Sequence, residues 1–231
     1  MSHYRTLFNK KHTLFVVIHV EDSKGALENV KIAQDVGADG IFLIDHITSD
    51  NPSALTRMFK YIKEQYPKFP IGLNYLGLTP SEAFHEMPKD ASFLWTDDAG
   101  IREDGPTDTA CAFWDMLQDS GWDGLYFGGV AFKYVDEKAD PSKVSKEAVP
   151  YMDVITTSGP GTGIAPDPAK IAAMRSKIGN HLLAIASGIT PLNVHRYMSN
   201  ADVFLVSTGI SRSVTELDPY LVEKLVEIIN K

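Results

Sequence analysis

Eight short apolar runs, separated by segments with helical periodicity, constrain the fold of this chain more than any other feature. The runs predict strands at Leu14–Val20, Gly40–Ile44, Ile71–Asn74, Ser92–Trp95, Gly124–Phe127, Val154–Thr157, Leu182–Ala186 and Val203–Ser207. Nearly all of their residues are apolar, which is typical of parallel strands that are covered on both faces. Strands that alternate with helices indicate βαβ units and a parallel sheet.

Helical periodicity lies between the runs, at Lys24–Val36, Pro52–Tyr66, Thr107–Asp119, near Ser142–Val149, and at Pro168–Ile178 and Pro191–Met198. Eight strand–helix units in 231 residues suit a closed (β/α)₈ barrel, so we expect residues 1–231 to form a single TIM-barrel domain. The alternative is an open, doubly wound sheet. That fold usually carries a glycine fingerprint in its first βα turn, and His19-Val20-Glu21-Asp22 contains none.

The overall charge excludes some classes of partner. The formal net charge is -8, and no run of Lys and Arg is present, which argues against a nucleic-acid-binding surface. The sequence contains no long apolar run, so we expect neither a signal peptide nor a membrane span. With a single cysteine, Cys111, an internal disulfide is excluded, and we expect a cytoplasmic protein.

Three consecutive predicted strands end in glycine-rich turns that also carry hydroxyl side chains. Glycine lets the backbone approach a ligand closely, and N–H groups at a following helix start favour an anion. In (β/α)₈ barrels the loops after strands seven and eight frequently bind phosphate. The sequence therefore predicts a phosphate site formed by Ser158, Gly161, Thr162, Ser187, Gly188, Ser207, Thr208 and Gly209.

Catalytic groups of a barrel lie at the C-terminal ends of its strands. Reading those ends gives acids, bases and one lysine, and the candidate catalytic residues are His19, Asn74, Asp45, Asp97 and Lys133. Carboxylates and histidine can act as general acid or base, and a lysine can stabilise charge or form a Schiff base. Each residue also has an ordinary structural interpretation, as a helix cap, a turn residue or a solvated lysine.

No cofactor is predicted from the sequence. The histidines and carboxylates lack the spacing of a zinc site. Asp45 with Asp97 and Asp98 could instead hold a magnesium ion, which leaves a metal-dependent lyase as an alternative.

The turn from Asp153 to Gly163 contains the pattern SG-x-x-TG, and Ser187 to Val194 has the pattern SG-[VI]-T-x-x-N-V. In these two turns the chain resembles the BtpA family of predicted barrel proteins. Pro70 to Leu76 is similar to its third strand, and His19 and Lys133 stand where the family places a histidine and a lysine. The chain departs from the pattern after His19, where Val20-Glu21-Asp22 replaces a proline–glycine turn.

The resemblance implies a barrel of the ribulose-phosphate-binding type, akin to phosphoribosylanthranilate isomerase. We expect an enzyme that acts on a small phosphorylated metabolite, such as a sugar phosphate or phosphoribosyl compound, by isomerase- or lyase-type acid/base chemistry. The alternative is a non-catalytic assembly factor that keeps the ligand site, as the family's namesake role in photosystem I biogenesis suggests. Barrels of this kind often form homo-oligomers, and nothing in the sequence identifies an interface.

Overall fold

The computed structural model describes residues 3–45, 52–135 and 139–231. Its central feature is a closed barrel of eight parallel strands. The strands are β1 (Thr13–Val20), β2 (Gly40–Asp45), β3 (Ile71–Asn74), β4 (Phe93–Thr96), β5 (Leu125–Gly129), β6 (Val154–Thr157), β7 (Leu182–Ile185) and β8 (Val203–Val206). Each strand pairs with the next along the chain, and β8 pairs with β1 to close the barrel. The predicted (β/α)₈ fold is confirmed.

Seven helices surround the barrel in the described residues: α1 (Ser23–Asp35), α2 (Pro52–Gln65), α3 (Pro80–Glu86), α4 (Asp108–Asp119), α5 (Pro141–Ala148), α6 (Pro168–Ile178) and α7 (Pro219–Ile229). Several of them begin in the same way. Asp140, Asp167 and Asp218 each accept a backbone N–H of the first turn, and a proline follows directly. This combination fixes the helix start. The aspartate side chain accepts a backbone N–H that has no partner within the helix, and proline has no N–H that needs one.

The predicted helix at Pro191–Met198 is wrong. Only Val194–Arg196 is helical there, as one turn of 3-10 helix. The Asn193 side chain accepts the N–H of Thr190 and donates to the carbonyl oxygen of Gly188. The Thr190 carbonyl oxygen accepts the N–H groups of both Asn193 and Val194, so a short turn forms there and no regular α-helix follows.

The interior of the barrel is closed by aromatic side chains in its lower half. Phe15, Phe42, Phe93 and Phe127 are fully buried, with ring centroids 5.0–5.8 Å apart. A 3-10 helix at His3–Asn9 lies below them, and its Tyr4 contacts Phe93 edge to face at 5.3 Å. Since the lower half is filled, a ligand can enter the barrel only from the opposite end, where the strands terminate.

A small antiparallel hairpin, Ile101–Arg102 with Gly105–Pro106, follows β4. The sequence showed only a turn at this position. In addition, no helix among the described residues has the length and apolar character needed to cross a membrane.

Candidate functional site

The upper layer of the barrel interior is polar, in contrast to the aromatic layers beneath it. Along β4, Phe93 and Trp95 belong to the interior cluster, and Asp97 is the next residue in the same alternation. The same alternation places His19 after Val17 on β1, and Ser207 after Leu205 on β8. Two further inward positions, Asn74 and Thr156, are almost fully buried on β3 and β6. The structure therefore brings together around one mouth polar residues from five strands.

Asn74 and Asp97 form the central pair of this layer. Asn74 Nδ2 donates to Asp97 Oδ1 at 2.9 Å, and the Asn74 side chain is only 1% exposed. Burial raises the pKa of the Asp97 carboxyl, whereas the Asn74 hydrogen bond and the Lys133 ammonium oppose that rise. A buried carboxyl with a raised pKa beside a cation is a candidate for general acid/base catalysis.

Three buried polar atoms near the mouth have no hydrogen-bond partner among the described residues: Asn74 Oδ1, Trp95 Nε1 and Thr156 Oγ1. A buried polar group without a partner is costly, so each such atom needs an explanation. All three atoms are buried, so a ligand could pair with them only after neighbouring side chains move. Thr156 and Trp95 were not among the candidates predicted from the sequence. Thr156 lies two residues after Val154 and Trp95 two residues after Phe93, so both face the barrel interior, and this period of two could have identified them.

Lys133 lies between the central pair and the turn that follows β6. Its Nζ is 3.4 Å from Thr162 Oγ1 and 5.6 Å from the centre of the Phe132 ring. Its backbone N–H donates to Ser158 Oγ at 2.8 Å. The loop that carries it is conformationally special, because Ala131 and Tyr134 both adopt positive φ, at 44° and 65°. The structure thus places the predicted lysine at the mouth, within electrostatic reach of Asp97.

The three glycine turns contact one another on one side of the mouth. Ser187 Oγ donates to the Gly161 carbonyl oxygen at 2.9 Å, which ties the turn after β7 to the turn after β6. A Cβ added to Gly163 would lie 3.6 Å from Thr208 Oγ1, so the turn after β8 is also adjacent. Residues predicted from three separate motifs therefore form a single cluster.

The glycines in this cluster are required first by packing. A Cβ on Gly188, which has φ +63°, would lie 2.1 Å from the Ala165 backbone nitrogen. A Cβ on Gly209 would lie 1.8 Å from the Ile189 carbonyl oxygen. Ser158 is likewise committed to the loop, since its hydroxyl accepts the Lys133 N–H and donates to the Gly159 carbonyl. A ligand contact from Ser158, Gly188 or Gly209 stays a prediction.

Backbone donors remain available in the same cluster. Outside the regular helices and strands of the described ranges, the N–H groups of Gly188, Thr208 and Gly209 donate to no backbone carbonyl oxygen. Thr208 is exposed, and it begins the 3-10 turn Thr208–Ile210. Converging backbone donors form an anion-binding concavity, and Lys133 supplies a positive charge beside it.

His19 and Ser207 meet across the seam where the barrel closes. His19 Nδ1 lies 3.1 Å from Ser207 Oγ and 3.2 Å from the Val214 carbonyl oxygen. The second contact favours the tautomer with a proton on Nδ1, because a carbonyl oxygen only accepts. His19 therefore holds the turn after β8 at Ser207 and at Val214.

Asp45 is the last residue of β2, and its side chain, like all of His46, lies outside the described residues. Its proposed roles as an acid/base or as a magnesium ligand stay predictions. Within the described part of the chain no group of three or more His, Cys, Asp or Glu side chains is arranged to hold a metal ion. Asp98, the other carboxylate considered, forms a two-pronged ion pair with Arg102 at 2.9 and 2.8 Å.

Lys170, in the first turn of α6, was not predicted from the sequence. Its Nζ donates to the carbonyl oxygens of Ala131 and Ser158 at 2.6 and 2.7 Å, and burial lowers its pKa to about 8. It thereby joins the loop after β5 to the turn after β6. A helical lysine is usually solvated, so nothing in the sequence distinguished it.

Comparisons with known proteins identify the fold. No family model matches the chain, and no curated protein matches it, so membership of the BtpA family stays a prediction. The solved structures that match include phosphoribosyl anthranilate isomerase from Thermus thermophilus, with 14% identity, a TM-score of 0.63 and coverage of 93% of this chain and 96% of that one. They also include (S)-3-O-geranylgeranylglyceryl phosphate synthase from Thermoplasma acidophilum in complex with sn-glycerol-1-phosphate, with 14% identity, a TM-score of 0.70 and coverage of 100% and 99%.

A third match is tryptophan synthase from Mycobacterium tuberculosis, with 10% identity, a TM-score of 0.71 and coverage of 100% of this chain and 99% of that one. The likeness therefore extends over the whole chain although few residues are shared. At such identities it establishes the TIM-barrel fold and leaves the reaction open.

Proposed function

We propose that this protein binds a small phosphorylated metabolite at the mouth of the barrel and performs acid/base chemistry on it. The observation that carries the proposal is the convergence of the three turns with Lys133 on one side of the mouth and Asp97 beyond them. Two of the structurally similar proteins are named for phosphorylated compounds, a phosphoribosyl anthranilate and a geranylgeranylglyceryl phosphate. The resemblance to the BtpA family points to the same class of ligand.

The phosphate group would accept the N–H groups of Gly188, Thr208 and Gly209, with further bonds from Ser207 and Thr162. Gly161 and Ser187 would act indirectly, since their mutual hydrogen bond holds the turns in place. The chain's acidic net charge makes this local set of donors necessary, because the overall field repels an anion.

Asp97 is proposed as the acid/base residue. In its ionised form it would take a proton from a hydroxyl-bearing carbon next to a carbonyl group and return it to the carbonyl carbon, while the hydroxyl proton moves to the former carbonyl oxygen, which is an isomerisation. Lys133 would stabilise the negative charge that develops on the oxygen. Asn74 would orient Asp97, and His19 would orient the phosphate turn through Ser207. Lysis of a carbon–carbon bond would use the same groups.

A binding screen tests this proposal. The purified protein is melted with inorganic phosphate, sugar phosphates and phosphoribosyl compounds, each with and without magnesium. A ligand at a hundredfold excess over its Kd should stabilise the fold by about 2.7 kcal/mol. The catalytic proposal is supported if phosphorylated compounds stabilise the protein and if Asp97→Asn abolishes the turnover of one of them. Binding without turnover of any bound compound favours a non-catalytic barrel, and an absence of binding overturns the proposal.

A further inference from the structure

A cavity of about 520 Å³ lies beside the barrel mouth, between the loop after β5 and the first turn of α6. Its walls are mainly apolar and include three prolines, Pro141, Pro160 and Pro166, together with Phe132 and Ala139. Neither the central acid/base pair nor the glycine turns after β7 and β8 line it. The cavity is therefore separate from the backbone donors that are proposed to hold phosphate.

The charged side chains in the lining of this cavity are two lysines and one aspartate, Lys133, Lys170 and Asp167. Asp167 accepts the Ala169 N–H as the cap of α6 and forms no ion pair with either lysine. The lining thus carries a net positive charge, although the formal net charge of the chain is -8. A local excess of positive charge favours an anionic ligand over a neutral one.

Lys170 has one hydrogen-bond donor more than its neighbours accept. An ammonium group has three N–H donors, and Lys170 Nζ gives two of them to the carbonyl oxygens of Ala131 and Ser158. Among the described residues no third acceptor is present and no carboxylate pairs with the charge. The side chain is partly exposed and belongs to the cavity lining. A ligand in the cavity can therefore approach this amine.

The surroundings of the Lys170 ammonium are unfavourable for its charge. Both of its partners are neutral oxygens, and burial alone lowers its pKa to about 8. A partly buried cation is costly unless a counter-charge compensates for the lost hydration. A carboxylate would supply the third acceptor and the counter-charge together, through one charge-assisted hydrogen bond.

We propose that this cavity is a second ligand site, which binds an organic carboxylate with an apolar body. The carboxylate accepts from Lys170, and the body packs against the prolines and Phe132. A neutral analogue lacks the counter-charge, and a bare inorganic anion lacks the apolar contacts, so both should bind more weakly. The inference goes beyond the proposed function and does not depend on it.

Calorimetric titration with three probes tests the inference: benzoate, benzyl alcohol and inorganic phosphate. Benzoate should bind the wild-type protein about tenfold more tightly than benzyl alcohol, as one hydrogen bond to a charged group implies. In Lys170→Met this preference should fall to about onefold, whereas Lys177→Met, at an exposed position of the same helix, should retain it. Saturating inorganic phosphate should leave the affinity for benzoate unchanged.

Amide shifts of the ¹⁵N-labelled wild-type protein locate the site even if Lys170→Met fails to fold. Benzoate should shift the signals of Gly159 and Lys170 most and leave those of Gly188 and Gly209 unchanged. The inference is overturned if benzoate does not bind, if benzyl alcohol binds equally well, or if Lys170→Met keeps the preference. Displacement of benzoate by inorganic phosphate, or shifts centred on Gly188 and Gly209, overturns it as well. The phosphate site has its own titration, so the two proposals fail separately.

Discussion

Asn74 and Asp97 lie on neighbouring strands of the barrel, and a hydrogen bond of 2.9 Å from Nδ2 to Oδ1 joins their side chains. The bond uses the amide's donor and leaves its buried oxygen without a partner in the described structure. One side chain thus orients a carboxylate and keeps an unpaired oxygen in the barrel interior. This relationship is the reason to place the reacting end of a ligand at β3 and β4, opposite the glycine turns.

Replacing Asp97 by Asn should stabilise the protein at neutral pH. Burial raises the pKa of Asp97 above its ordinary value of 3.8, so the folded state holds this proton more tightly than the unfolded state does. The stability from this group is present below pH 3.8 and is lost as the pH rises through the folded pKa. Thermal melts from pH 3.5 to 8 should show the variant's advantage growing with pH. A constant difference, or an advantage shared by the exposed Asp104→Asn, contradicts the assignment.

Lys170→Met should destabilise the fold by about 1–3 kcal/mol, because two buried carbonyl oxygens lose their ammonium donor. Lys177→Met, at an exposed position in the same helix, should change the free energy of unfolding little. The pKa of Lys170 is lowered to about 8, so between pH 8 and 10.5 the unfolded state binds the proton that the folded state has lost. Stability from this group therefore rises with pH across that window, and denaturant titrations should find the rise missing in Lys170→Met. Equal slopes of unfolding free energy against pH in the wild-type protein and in Lys170→Met would contradict the lowered pKa of Lys170.

Gly188→Ala should displace the turn after β6. Its Cβ would lie 2.1 Å from the Ala165 nitrogen at a φ of +63°, and we expect a loss of about 2–4 kcal/mol from strain and overpacking together. Gly37→Ala isolates the backbone contribution, since φ is +80° and nothing lies within 4 Å of the added Cβ. Chemical denaturation of the two variants compares them. Equal losses of unfolding free energy in the two variants would mean that the contact with Ala165 adds nothing to the cost of Gly188→Ala.

Phe15→Ala should cost about 3–5 kcal/mol, because it removes a fully buried ring from the aromatic layers of the barrel. Phe15 contacts Phe42, Phe93 and Phe127 edge to face. Tyr61→Ala, which truncates an aromatic side chain that is 44% exposed on α2, should cost far less. Similar unfolding free energies for the two variants would contradict the packing described for the barrel interior.

The sequence predicted the barrel well because its signal is repetitive and local. Short apolar strands mark each unit, turn residues such as Gly37 precede the second, fifth and eighth strands, and every predicted strand lies within two residues of its observed bounds. The prediction of a helix at Pro191–Met198 failed because this segment forms consecutive turns around one short 3-10 helix, Val194–Arg196. Periodicity alone does not distinguish consecutive turns from a regular helix.

The candidate site was predictable only in part. Strand ends converge in any barrel, so Asn74, Asp97 and Lys133 could be named from position alone. The contribution of Lys170 depends on two carbonyl groups far away in sequence, and no local pattern encodes it. The packing of Gly188 against Ala165 likewise required coordinates, because glycine in a turn looks the same whether a ligand or a loop lies beside it.

Amide chemical shifts of ¹⁵N-labelled protein, titrated with inorganic phosphate, test the central claim most directly. The account predicts saturable shifts that are largest at Gly188, Thr208 and Gly209 and that share one Kd, with Gly37 and Gly179 unchanged as distant glycine controls. Shifts that are absent, or that cluster away from the turns after β6, β7 and β8, would contradict it.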